Sequence, residues 1–412
     1  MALLKMWSIP PLAALLLLSI VPTGSKVVDS MSECAEFLLN ETPPNVPGIL
    51  EGGNIQDQNR YKPICQTFRG IKRYVTLYDT KNKIPVFSAS KYIGTNSTRP
   101  REKKDWKIEP QLEDIRDDEN MMMDVNGSTY NKQAVDSDYI NHYTKRGFDR
   151  GHLFPCSYAS TVDDKNSTFT LTNIVPQNGF FNKGSWNKME ICIKCVLDEY
   201  CINNNNIKEG FLVIGAQPGN NIISNKVNVP SMLWSAFCCY SHSENRWLAS
   251  AHWGPNIDGR EYLQTKTLAE LHSELSTASS AFEVFPGTQC PLHTTVTEFY
   301  PKLNAGKKQC QCPPPILTTS AAPNLRPLLF SKSNEHRYRS SHQCISSNIQ
   351  CFSVKLHKYS DFNGLSHHLH SSSAFPFSPC SNLKASDDDQ SSSSSFKFLH
   401  PVSDSDTMFG CS

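Results

Sequence analysis

Four adjacent residues, Asp149, Arg150, Gly151 and His152, lie inside the stretch RGFDRGHLFPC. Neither an apolar strand nor an ordinary solvated loop calls for that order, so its explanation is chemical. An imidazole with an unperturbed pKa of ~6.5 titrates near working pH, which makes His152 a candidate general base. A lone histidine is more often structural, and the reading gains weight only from partners. Those lie thirty residues on, where Asn182, Trp186, Glu190 and Lys194 follow one another at four-residue steps. On a helix that spacing places them on one stripe.

Together these residue types suit the hydrolysis of a phosphodiester. The reaction needs a base for water, a cation to neutralise charge in the transition state, and polar groups to hold the phosphate. Mg²⁺, or Mn²⁺ in its place, is hard, prefers oxygen and keeps most of its waters, so very few protein ligands hold it. Asn182 offers an amide oxygen to such an ion, Glu190 a carboxylate to an ion-bound water, and Lys194 an ammonium to a phosphate oxygen. Trp186 is read as helix packing, because aromatic residues at helical spacing usually bury their area.

The elements that must position these groups are legible in part. RYVTLYDTKNKIPVFSASKY reads as a hairpin with strands at about 73–79 and 84–90. TFTLTNIVPQ reads as a short strand broken at Pro176, which cannot donate to a ladder. Residues 210–219 and 229–240 form two more strands bounded by Gly, Pro and Asn. Met189, Cys192, Ile193, Val196, Leu197 and Tyr200 mark one buried face of a helix over about 184–200, with Asn182 or Ser185 as its cap. A second helix is expected over 261–275. The mix predicts an α+β domain with a largely antiparallel sheet, in which a hairpin carrying His152 and a helix carrying Asn182 form a ββα unit around one ion.

The ordered blocks DRGH, TNIVPQ and NKGSWNKME resemble the signature of the DNA/RNA non-specific endonucleases, the ββα-metal or His-Me finger group. The likeness runs from about Cys65 to Cys290. It implies His152 as general base, Asn182 as the single direct metal ligand and Glu190 as the residue that orders metal-bound waters. It further implies Arg150 near the metal-water and phosphate network, and Asn173 as support for the histidine's loop. Asp149 is expected to brace a turn in which Gly151 lets the backbone bend. Many bacterial members carry arginine where this chain has Lys194, and lysine lacks the planar fork that grips phosphate. Cys156 is expected to be either a disulfide partner or a free thiol beside the site.

The activity implied is a metal-dependent endonuclease that cuts DNA and/or RNA with little sequence preference. Its rival is a nuclease-fold glycoprotein that acts by binding, in defence or regulation. Residues 1–24, with Lys5 ahead of the apolar run LAALLLLSI and then Thr23 and Gly24, read as a secretory signal peptide. That run is far shorter than the ~20 residues of a membrane span. Secretion, or residence in the secretory lumen, fits 15 cysteines read as disulfide formers and four sequons at Asn40, Asn96, Asn126 and Asn166. On one helix Cys192 and Cys195 are poorly placed to pair with each other, and Cys238 and Cys239 face opposite ways on a strand, so each is expected to bond elsewhere.

Residues 25–312 have the composition of one globular domain. Residues 313–412, rich in Pro, Ser and His and including ASDDDQSSSSSF, predict a disordered tail. Net charge is only +1, yet residues 60–107 hold 13 Lys or Arg against three acids. That block reads as a solvated surface first and a phosphate contact second.

Overall fold

A computed structural model describes residues 26–96, 105–124, 130–140, 147–306 and 310–314. The signal peptide, residues 315–412 of the tail and the sequon at Asn126 lie outside them.

β-branched and aromatic residues alternate through a seven-stranded antiparallel sheet. Its spatial order is Lys26–Val27, Tyr61–Phe68, Ile71–Asp79, Ile84–Tyr92, Gly210–Gln217, Met232–Ser241 and Arg246–Pro255. Because successive side chains face opposite ways, the sheet feeds two cores. Leu212, Ile214, Phe237 and Cys239 enter one; Val213, Ala236 and Cys238 enter the other. The second core is closed by the N-terminal segment, with Met31 and Leu38, and by the helix Leu268–Leu275. The first is closed by the long helix and the two-stranded ribbon that carry the candidate site.

The hairpin of Ile71–Asp79 and Ile84–Tyr92 forms where the sequence places it. Three expectations need correction. First, Pro176 does not break its strand: Ile174–Asn178 runs through it, with Pro176 opposite Arg150. A two-stranded ribbon leaves each strand one unpaired edge, where a missing N–H costs nothing. Second, residues 261–267 are not helical. Thr267 caps the helix at Leu268 through a reciprocal capping box with Glu270, and this local signal sets the start. Third, the long helix begins earlier than expected, at Gly179. Its cap is Asn178, whose side chain accepts from the Phe180 and Phe181 backbone N–H groups.

Among the described residues, the disulfides Cys34–Cys65, Cys192–Cys312, Cys195–Cys310, Cys201–Cys239 and Cys238–Cys290 fix the layers. The adjacent Cys238 and Cys239 do bond to different partners, one on each face of the sheet. Two bridges tie the segment around Cys310 and Cys312 to the helix Asn187–Tyr200. Cys156 is also disulfide-bonded, which closes the free-thiol alternative. Among the described residues no helix is long and apolar enough to cross a membrane.

Candidate active site

The stretch Phe148–His152 is a strand, not a turn, and it pairs antiparallel with Ile174–Asn178. Strand alternation then divides the four residues between two faces. Arg150 and His152 share one face, and both meet Trp106. The His152 ring centroid is 5.7 Å from that of Trp106, and the Arg150 guanidinium lies 5.3 Å from the indole centroid. Phe169 stands edge-on to His152 at 4.8 Å, so the imidazole is held in an aromatic corner. Arg150 is fixed by an ion pair to Asp136 at 2.7 Å and lies 5.9 Å from the Tyr139 ring centroid. Sequence reasoning missed Trp106, Phe169 and Asp136. The single available signal was an aromatic residue inside the basic block.

Gly151 serves a different purpose from the one expected. Its backbone is extended, and a Cβ there would stand 2.1 Å from Gln177 Oε1 and 2.5 Å from Gln177 Cβ. The glycine permits close approach of the partner strand, not a bend. On the same face as Gly151, Asp149 binds the start of the helix. Its carboxylate accepts from Asn182 Nδ2 at 2.9 Å and from Lys183 Nζ at 2.8 Å. The amide nitrogen of Asn182 is thereby committed, which orients its amide oxygen away from Asp149.

Residues Asn182–Trp186 form a single π-helical turn, where the Asn187 N–H donates to the Asn182 carbonyl. This turn widens the step between Asn182 and Trp186, so the four-residue stripe is regular only from Trp186 onward. Such turns recur at functional sites. Trp186 is core, 1 % exposed and packed 5.6 Å from the Phe181 ring.

Glu190 lies one turn beyond Trp186, and burial pushes its carboxyl up to about 8, against a smaller opposing pull from the Trp186 indole. Asn173 is fully buried. Its Oδ1 accepts from the Phe154 N–H at 3.0 Å and from Ser88 Oγ at 2.9 Å. Its Nδ2 donates to the carbonyls of Phe154 and Thr168 at 3.0 and 3.1 Å. Its amide therefore holds the backbone at Phe154, just after His152, and exposes no surface of its own. Lys194 is tied to Asp198 at 2.7 Å, and Asp198 also accepts from Lys208 and from the Tyr92 hydroxyl. Its charge is compensated inside the chain.

The sequence pattern of the DNA/RNA non-specific endonucleases matches residues 54–287, more than half of the chain, and spans the ribbon and the long helix. The chain belongs to that family. Human Endonuclease domain-containing 1 protein is 29 % identical over 217 residues, which are 50 % of this chain and 39 % of that protein. The mouse protein of the same name is 28 % identical over 246 residues, 58 % of this chain and 45 % of its own length. This chain thus spans less than half of these two mammalian relatives. A nuclease of Nostoc sp. is 31 % identical over 97 residues, covering 22 % and 32 % of the two chains. A crystal structure of the EndoG/EndoGI complex contains a chain of 20 % identity and TM-score 0.35, with 46 % of this chain and 74 % of that one covered.

Membership of this family implies a divalent ion. The donors fit such an ion in a particular way. Among the described residues no three His, Cys, Asp or Glu side chains cluster as a metal cage, as zinc would require. One oriented amide oxygen and one half-buried carboxyl suit a cation that keeps most of its waters. The buried Trp186 indole N–H is a donor beside the Glu190 carboxyl and favours its ionised form.

Proposed function

We propose that the chain is a secreted or luminal metal-dependent endonuclease that hydrolyses phosphodiester bonds of DNA and/or RNA with little sequence preference. The observation that carries this reading is the 2.9 Å hydrogen bond between Asp149 and Asn182. It ties the strand ending in His152 to the helix that continues to Glu190, so base and ligand belong to one framework. Asn182 would hold Mg²⁺ or Mn²⁺ through its amide oxygen, with Glu190 ordering waters around it; the ion supplies Lewis-acid neutralisation of the phosphate and the departing oxygen.

His152 takes a proton from water, and the resulting hydroxide attacks phosphorus in line. The bond from phosphorus to the 3′ oxygen breaks, and that oxygen takes a proton from solvent, leaving a 5′-phosphate and a 3′-hydroxyl. Trp106 and Phe169 hold the imidazole in place during the transfer, and Asn173 fixes the chain beyond it. Arg150, held by Asp136, keeps a positive charge on the face where phosphate charge develops. Lys194 supports the helix through Asp198 more than it grips phosphate. Contacts to phosphate and sugar carry no base identity, which accounts for low sequence preference.

The secretory location is supported by the disulfides and by the exposure of Asn40 and Asn96 at two sequons. A plasmid-nicking assay with Mg²⁺ tests the activity. Wild type is expected to nick, and His152→Ala and Asn182→Ala to lose at least ~100-fold. Equal survival of plasmid with all three proteins would reject the enzyme in favour of a binding role.

A further inference from the structure

Among the described residues, part of the basic block that the sequence brings forward is paired within the fold. Arg60 pairs with Asp79, Arg69 with Asp163, Arg73 with Asp164 and Lys91 with Glu209. Cationic surface appears elsewhere, beside the candidate site. A cleft of about 570 Å³ is lined by Asp149, Phe180, Lys183, Lys188 and Arg260, with Gly147, Gly179 and Gly184 as its small residues. It holds three cations and one carboxylate, and that carboxylate is already committed to Asn182 and Lys183.

Aromatic rings interleave with these charges. The Arg260 guanidinium lies 4.7 Å from the Phe180 ring centroid, and Lys188 Nζ lies 4.7 Å from that of Tyr262. Lys188 Nζ also donates to the Arg260 carbonyl at 2.7 Å, which joins the two pairs into one ladder. Phe180 is 52 % exposed and Tyr262 39 %, so both rings keep area open to a ligand. Neither ring is needed by the core.

The loop that carries Arg260 and Tyr262 is held in place before any ligand arrives. Asn256 Oδ1 accepts from the Asn178 N–H at 2.7 Å, and Asp258 accepts from Asn178 Nδ2 at 2.8 Å. Gly184 has no Cβ, and one there would stand 2.5 Å from the Gly259 carbonyl, so the loop lies directly on the π turn. Ordering such a loop is a cost of binding that this fold has already met.

We propose that this cleft binds an unpaired stretch of nucleic acid next to the cut phosphate, so that the preferred substrate is single-stranded DNA or RNA. The inference rests on the nuclease reading and deepens it. In a duplex the base faces are stacked on one another, and an exposed ring gains nothing from them. An unstacked base can lie on Phe180 or Tyr262, while Lys188 and Arg260 follow the backbone. A cleft of this size admits about one nucleotide at a time.

Direct binding tests the proposal apart from catalysis. Fluorescence anisotropy with a labelled 12-nucleotide oligo-dT, in EDTA and on the His152→Ala background, is compared with a duplex of equal charge and an abasic 12-mer. The oligo-dT is expected to bind about tenfold tighter than either. Phe180→Ala and Tyr262→Ala should each weaken oligo-dT about tenfold while barely changing the abasic strand. Arg260→Glu, on the exposed loop, should weaken all three. Both aromatic variants remove surface side chains, and unchanged melting temperatures confirm that the fold persists. Equal affinity for oligo-dT and the abasic strand, or full displacement by poly-glutamate, would overturn the proposal. If binding follows the expected pattern but wild type cuts nothing, the nuclease reading fails while the cleft stands.

Discussion

Replacing Asn173 with alanine separates positioning from chemistry. The side chain is fully buried and makes four hydrogen bonds: from the Phe154 N–H and Ser88 Oγ, and to the carbonyls of Phe154 and Thr168. Each is worth ~1 kcal/mol net, and a buried group left without its partner costs ~1–3 kcal/mol more. Ser88 keeps its bond to Thr76, so the orphaned groups are chiefly on the Phe154 backbone. The expected loss is ~3–5 kcal/mol of unfolding free energy. Phe154 follows His152 by two residues, and a displacement of about 1 Å in a reacting group costs ~100-fold in rate. Urea unfolding with disulfides intact measures the first quantity; nicking by the fraction still folded measures the second. Ser88→Ala, which removes one bond of the four together with the Ser88–Thr76 bond, should cost ~2 kcal/mol and leave the rate unchanged. A loss below ~1 kcal/mol for Asn173→Ala, or a full loss of stability with wild-type nicking by the folded fraction, would refute the positioning role.

Three further outcomes follow from the same geometry. Gly151→Ala should destabilise by ~1–3 kcal/mol and suppress nicking, because Gln177 Cβ at 2.5 Å can yield only if the ribbon shifts; a soluble variant with wild-type melting and activity would contradict this. Glu190, raised to about 8, binds its proton more tightly folded than unfolded, so metal-free stability falls as pH rises from ~4.3 through 8 and then levels. Glu190→Gln should flatten that decline in melting scans in EDTA, and parallel curves for the two proteins would count against a desolvated carboxyl. His252 is 3 % exposed, donates or accepts at Thr265 Oγ1, and is pushed down to about 3 by burial. Its unfolded form protonates below ~6.5, so stability is lost as pH falls from there toward 3, by ~3 kcal/mol at pH 4.5. His252→Gln should remove that part of the acid slope, and an unchanged slope would place the acid sensitivity elsewhere.

Residue order by itself determined the chemistry on offer and the local periods. DRGH, TNIVPQ and NKGSWNKME carry the family. The alternation of Val213 with Leu212 and Ile214, and of Cys238 with Cys239, already assigns each side chain to one face of the sheet. These are short-range properties: side-chain type and a period of two or 3.6 act within a few residues.

Tertiary structure decided what surrounds them. Nothing near position 152 announces that Trp106 and Phe169 will frame the imidazole. Nothing near 151 shows that Gln177 will press on the glycine, or near 194 that Asp198 will also draw Lys208 and so take up the lysine's charge. The π turn at Asn182–Trp186 and the loop laid on Gly184 likewise depend on which strands become neighbours. That order is fixed by packing two cores against one sheet, and contacts between residues distant in the chain exist only once this packing is complete.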